Sequence, residues 1–214
     1  VTEFRKYPSI PRYRKDIHIT EKIDGTNATI VITDEATPTP GTVVHNALGK
    51  PQFVYAQSRT RFVSREQDNH GFASWVFDNA EELADLLGEG YHYGEWWGSG
   101  INRDYGLKNG EKHFSLFNPD RYDYLKRPNY ANSLLTTVPV LYRGPAYMPY
   151  MPANSDTRDA VEYTMQLLRR TGSWALGAEG YYNPEGVVVY HTAARQLFKV
   201  TYEYDEGKWA APKQ

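Results

Sequence analysis

Short apolar runs recur along the chain and predict strands at Ile17–Thr20, Ala28–Thr33, Phe53–Ala56, His92–Trp96, His113–Phe117, Val138–Tyr142, Gly186–His191 and Leu197–Tyr202. Two segments carry the longer helical period instead. Ala80–Leu87 sets Leu83, Leu86 and Leu87 on one face, with Asn79 as the cap and Gly88 as the stop. Asp156–Thr171 carries Ala160, Val161, Thr164, Leu167 and Leu168 at helical spacing, followed by Gly172. Residues 36–51, rich in Pro, Thr and Gly, predict a loop. Strands outnumber helices and do not alternate with them. The pattern predicts an α+β fold of mainly antiparallel sheets, not a doubly wound one. With no internal repeat and no low-complexity linker, one domain over residues 1–214 is expected.

Composition narrows the chemistry. The net charge is -2, so any site for a polyanion must be a local patch. One such patch is the run Arg5-Lys6…Arg12…Arg14-Lys15, with Tyr7 and Tyr13 interleaved, which is suited to tracking a phosphate backbone. Cysteine is absent, which excludes disulfides, thiolate zinc sites and cysteine catalysis. The six histidines show no metal-ligand spacing. No apolar run has the length of a signal peptide core or a membrane span, so a cytoplasmic location is expected.

The strongest chemical candidate is Lys22, between a predicted strand and the Asp24-Gly25 turn. A nucleophilic amine must be neutral, yet a free lysine titrates near ~10.4. Desolvation at a strand end and neighbouring cations lower that value. Gly25 would let the backbone approach a ligand closely. Asp24 could help to hold a divalent metal or to orient the amine.

From Lys22 onward the sequence resembles the covalent nucleotidyltransferases, the ATP-dependent polynucleotide ligases and mRNA capping enzymes. Six motifs fall in the family's order: Lys22-Ile23-Asp24-Gly25, Gln57-Ser58-Arg59-Thr60, Tyr93-Gly94-Glu95-Trp96, Phe114-Ser115-Leu116-Phe117-Asn118, Glu185-Gly186-Val187-Val188-Val189 and Phe198-Lys199. The run Glu21-Lys22-x-x-Gly25-Thr26-Asn27 is similar to the nick-sealing RNA ligases of phage and of trypanosome editing, and so is Val138–Gly144. Asn27 stands where DNA ligases and capping enzymes usually have Arg.

The resemblance implies an ATP-grasp-like ligase core with its nucleotide pocket between two sheets. It implies three steps: Lys22 attacks the α-phosphate of ATP, AMP moves to a 5′-phosphate end, and a 3′-hydroxyl displaces AMP. Under it, Glu21 reads the adenine amino edge, Ile23 and Asn27 line the nucleotide site, and Arg59 grips phosphate. Arg61 shares that face if the run stays extended. Phe114 stacks on adenine, with Phe117 as the alternative, and Val187 closes the other side of the base. Glu95 and Glu185 bind ribose hydroxyls and, with Asp24, a magnesium or manganese ion, in part through water. Lys199 contacts the α-phosphate. The family's last motif has two lysines separated by one residue; here Thr201 takes the second place, and Arg195 is one candidate substitute.

Thirteen residues follow Thr201, which predicts a catalytic core without the family's OB or helical clamp, acting as a monomer with a separate clamp protein as a possible partner. The implied substrate is nucleic acid with 5′-phosphate and 3′-hydroxyl ends, RNA above all. A phage or bacterial source would suit it. Competing readings are a minimal DNA ligase, a capping-type guanylyltransferase, and a nucleic-acid-binding pseudoenzyme.

Overall fold

A computed structural model of the chain describes residues 2–46, 48–126, 134–151 and 157–203. Its strands, in chain order, are β1 (Asp16–Lys22), β2 (Thr26–Thr33), β3 (Thr42–His45), β4 (Pro51–Ser58), β5 (Phe62–Val63), β6 (Gly90–Gly98), β7 (Lys112–Leu116), β8 (Leu135–Thr137), β9 (Val140–Pro145), β10 (Gly186–His191) and β11 (Gln196–Thr201). The helices are α1 (Phe72–Asp78), α2 (Ala80–Leu87) and α3 (Ala160–Thr171).

These elements make two sheets. One has the order β11-β10-β1-β9 and the other β3-β4-β2-β6-β7-β8, with β5 on β4. All pairings are antiparallel except β7 with β8. The expected mixed architecture is therefore present.

Each sheet buries one face under helix. In the larger sheet Ala28, Ile30, Ile32, Val54, Ala56, Trp96, Phe114 and Leu116 pack with Phe72, Val76 and Leu83 of α1 and α2. In the smaller sheet Ile17, Ile19, Val187 and Val189 pack against Ala160 and Leu168 of α3. Successive strand residues face opposite ways, so the alternate residues line the other face of each sheet. The chain passes between the sheets at Ile23–Gly25 and again at Val138–Pro139. The Glu21 amide donates to the Pro139 carbonyl at 2.9 Å and ties the two crossings together.

Several boundaries differ from the sequence reading. Helix α2 runs over Ala80–Leu87 as expected and stops at Gly88 (φ 69). Asn79 makes no side-chain cap; its amide nitrogen donates to Trp75 O at 2.7 Å and closes α1 instead. Helix α3 begins at Ala160, where Asp159 accepts from the Val161 and Glu162 amides; Asp156, its expected start, lies outside the described residues. Pro139 divides the expected strand Val138–Tyr142, because proline cannot donate to a ladder. Val140–Tyr142 belongs to β9 of the smaller sheet, whereas Val138 lies just past β8 and donates its amide to Leu116 O of the larger sheet at 3.0 Å. Helix α1 and strand β3, the latter within the expected loop 36–51, were not legible.

Candidate active site

Lys22 is the last residue of β1, directly opposite Gly186 of β10. Its Nζ donates to Glu185 Oε2 at 2.6 Å, and both side chains are mostly buried. Gly186 has φ 153, and a Cβ there would lie 2.2 Å from Val200 O, so only glycine lets β11 close over the residue after Glu185. Across the seam, Glu95 Oε1 accepts from the Gly25 amide at 3.1 Å. Gly25 is required for a reason other than ligand approach: a Cβ there would meet Trp96 O at 2.4 Å and Trp97 Cβ at 2.7 Å. The crossing thus lies flat on β6. Burial pushes the Glu95 carboxyl up to about 7; the Gly25 amide and Lys22 pull it down, and Glu185 and Asp24 push it up.

Asn27 is paired with Glu95 across β2 and β6, which sets both on the face opposite the helices. Arg59 is exposed, one residue past the end of β4, where Ser58 pairs with Ala28 of β2. Lys199 opposes Val188, which in turn opposes Thr20. Lys199 is exposed on the same face of the smaller sheet as Lys22. Lys22, Glu185, Glu95, Asn27, Arg59 and Lys199 are thus grouped around or beside the seam.

Other expected site residues are elsewhere. Phe114 is fully buried among Phe72, Trp75 and Trp96 on the helix side, so it has no surface to offer a base. Phe117 follows three residues on, is 41% exposed, and its amide bonds to Tyr93 O. Val187 is fully buried against α3, and Val188 holds the face shared with Lys22. Glu21 points the same way as Val187, away from the Lys22 face. It is 1% exposed, and its Oε2 accepts from the Trp174 amide at 2.8 Å. Burial raises its pKa, against the lowering pull of Ser173 and the Trp174 and Ala175 amides. Its side chain fastens the 173–175 turn and does not face the seam. Ile23 is core, packed with Trp97, Tyr105, Leu107 and Val138.

Asp24 does not present free oxygens for a metal. Oδ1 accepts from Asn102 Nδ2 at 2.9 Å, and Oδ2 lies 3.0 Å from Arg103 Nε. The segment after Ser58 turns instead of staying extended, so Arg61 reaches Gln67 and Arg65 pairs with Asp78 at 2.7 Å. Arg195 sits in the turn joining β10 to β11, at the end of the sheet remote from Lys22. It cannot substitute for a second lysine.

The loop Ser99–Gly106, which no local pattern marks, grips the crossing. Asn102 Nδ2 also donates to Gly25 O at 2.7 Å, and the Asp24 amide donates to Tyr105 Oη at 2.8 Å. Asn102, Asp104 and Tyr105 all have positive φ (43, 50 and 55). Such conformations cost free energy and persist where surrounding contacts hold them.

Among the described residues no three His, Cys, Asp or Glu side chains are grouped to hold a metal alone. Glu95 and Glu185 offer oxygens, which suit a hard divalent ion that keeps waters and takes further ligands from phosphate.

The fold is α+β, two mainly antiparallel sheets with lysine, arginine and carboxylate side chains gathered where they meet. The chain matches the RNA ligase family over residues 15–201 and belongs to that family. Among solved structures it is similar to a Naegleria gruberi RNA ligase variant with ATP and Mn, at 17% identity and TM-score 0.53, covering 90% of this chain and 51% of that one. A second variant of that ligase with ATP and Mn matches at 16% identity and TM-score 0.51, covering 91% and 52%. A third, with AMP and Mn, matches at 16% and 0.50, covering 87% and 49%. The chain spans about half the length of these ligases. No curated protein matches it.

Proposed function

We propose that this chain is the nucleotidyltransferase core of an ATP-dependent RNA ligase, with Lys22 as the residue that takes AMP. The observation that carries the reading is the Lys22–Glu185 pair at 2.6 Å, set at the seam with Glu95 beside it. A lysine paired in this way is held in one direction and has an acceptor for its proton. Loss of that proton to Glu185 frees the Nζ lone pair. Nζ then bonds to the α-phosphorus of ATP as the bond to pyrophosphate breaks. Reactions of this kind depend on positioning and charge neutralisation.

Lys199 and Arg59 supply cations to the phosphates. Asn27 and Glu95 face the ribose; a carboxyl titrating near 7 can either donate to a hydroxyl or accept from it. Phe117 takes the stacking role expected of Phe114, and Val188 the role expected of Val187. Glu95 and Glu185 would hold a magnesium or manganese ion, in part through water, and the ion would neutralise phosphate charge. AMP passes from Lys22 to a 5′-phosphate, and a 3′-hydroxyl then displaces it. Nucleic acid with these ends is the substrate, RNA by family membership.

Incubation with α-labelled ATP and magnesium, followed by a denaturing gel, should give labelled protein, and α-labelled GTP should not. Lys22→Ala should abolish the label. A labelled Lys22→Ala protein, or label from GTP alone, would refute the assignment.

A further inference from the structure

Residues 2–15 lie outside both sheets. All are exposed, and no strand or helix precedes Asp16 among the described residues. Their apolar side chains nonetheless keep a strict spacing. Phe4, Tyr7, Ile10 and Tyr13 recur at every third position and are 91%, 79%, 77% and 75% exposed. Pro8 and Pro11 hold a second register of the same period, and Lys6, Ser9, Arg12 and Lys15 a third. Proline fixes φ and keeps the residue before it out of the helical region. The extended polyproline conformer that this favours has three residues per turn. In it, one edge of the arm is apolar and aromatic and another is basic. Residues 2–15 carry five cations against the single carboxylate of Glu3, while the whole chain is net -2.

The root of the arm is fixed. His191 Nε2 donates to Tyr13 O at 2.7 Å, and the Tyr13 and His191 rings stack at 6.3 Å. The Arg14 guanidinium lies over the Tyr147 ring at 5.3 Å, and Ala146 N donates to Lys15 O at 3.2 Å. The root is therefore held at the start of β1, and Lys22 is at its end. Six residue steps at roughly 3.4 Å separate them by about 20 Å.

We infer that this arm is a docking strip for single-stranded nucleic acid, with bases stacked on Phe4 and Tyr7 and phosphates neutralised by Lys6 and Arg12. Aromatic faces accept any base, and spaced cations follow a backbone. The inference rests on the RNA ligase reading only in naming RNA as the strand. The root of the strip thus lies about six stacked nucleotides from the reaction centre, at a rise of ~3.4 Å each, and the strip runs outward from there. It should hold substrate without touching nucleotide transfer.

The test is fluorescence anisotropy of a labelled 15-nucleotide oligouridylate with the full chain over a salt series. Lys6→Ala with Arg12→Ala should weaken binding about tenfold and lower the slope of log affinity against log salt by about 1.4, two phosphates at ~0.7 each. Phe4→Ala with Tyr7→Ala should weaken binding at least about thirtyfold with the slope unchanged. All variants should label with ATP as wild type does. Unchanged affinity in either double variant overturns the inference: in the first, the cations do not meet phosphate; in the second, nothing stacks and the attraction is counterion release alone. Wild-type protein that binds the oligomer through the arm yet never labels with ATP would sink the ligase reading and leave this one standing.

Discussion

Glu95 is a carboxyl whose proton is bound more tightly than usual, its pKa pushed up to about 7 from 4.5, with burial as the first cause. A raised acid pKa means that the folded protein prefers the protonated form. The associated stability is fully present below about 4.5 and is lost as pH rises through about 7. Glu95→Gln has no charge to bury, so it should gain on wild type across that window. The gain is on the order of 3 kcal/mol at most, from ~1.36 kcal/mol per pH unit. Urea unfolding at pH 4.5 and pH 8 reads the difference, and an equal offset at both would refute it. A second pair of residues separates parity from function. Phe114→Ala should cost about 3–5 kcal/mol, because it empties a packed core. Phe117→Ala should cost little stability and raise the ATP concentration needed for half-maximal labelling. The reverse pattern would return the stacking role to Phe114. The motif Phe114-Ser115-Leu116-Phe117 was plain in the sequence, but which ring faces the seam was not. That depends on which face α1 covers, and α1 was not read. Its residues Phe72, Trp75, Val76 and Phe77 are aromatic or β-branched and suit a strand as well as a helix. The helix is initiated by Asp68, which accepts from the Ala73 and Ser74 amides at 2.7 and 3.0 Å.

Among the elements, the loop Ser99–Gly106 grips the turn that follows Lys22. Asn102 alone bonds both the Asp24 carboxylate and the Gly25 carbonyl. Removing it should loosen the crossing and slow Lys22 labelling by about tenfold at saturating ATP, since small misplacements of a reacting group are costly. Two variants distinguish the side chain from the backbone. Asn102→Ala loses the bonds and keeps the strain of φ 43; Asn102→Gly loses the bonds and relieves it. Equal slowing in folded samples of both assigns the effect to the bonds, whereas a wild-type rate in the glycine variant would assign it to strain. This loop was invisible in the sequence because its contacts join positions 24 and 25 to 102–105, and no local pattern encodes a pairing over that separation. Helix α2 and strands β1, β2, β6, β7, β10 and β11 were readable because their alternation or helical period is local.

At the scale of the molecule, the larger sheet and its two helices are one uninterrupted stretch, Thr26–Thr137, inserted between β1 and β9 of the smaller sheet. Its two junctions are neighbours, held by the bond from Glu21 N to Pro139 O. Lys22 lies next to the first junction, and its partner Glu185 is 163 residues away. The order in which the chain is made therefore matters. During synthesis Lys22 precedes the larger sheet, which can form from local contacts behind it, and the pairing of β1 with β10 must wait until residues 186–191 have been made. Contacts of such long separation form late. A nascent chain stalled short of residue 185 should therefore have Thr26–Thr137 protected from protease and yet take no label from ATP. A chain extended past β11 should gain labelling and protection of β1 together. On the proposed role of Lys22, its separation from Glu185 along the chain would act as a timer, leaving the amine without its partner until β10 has paired with β1.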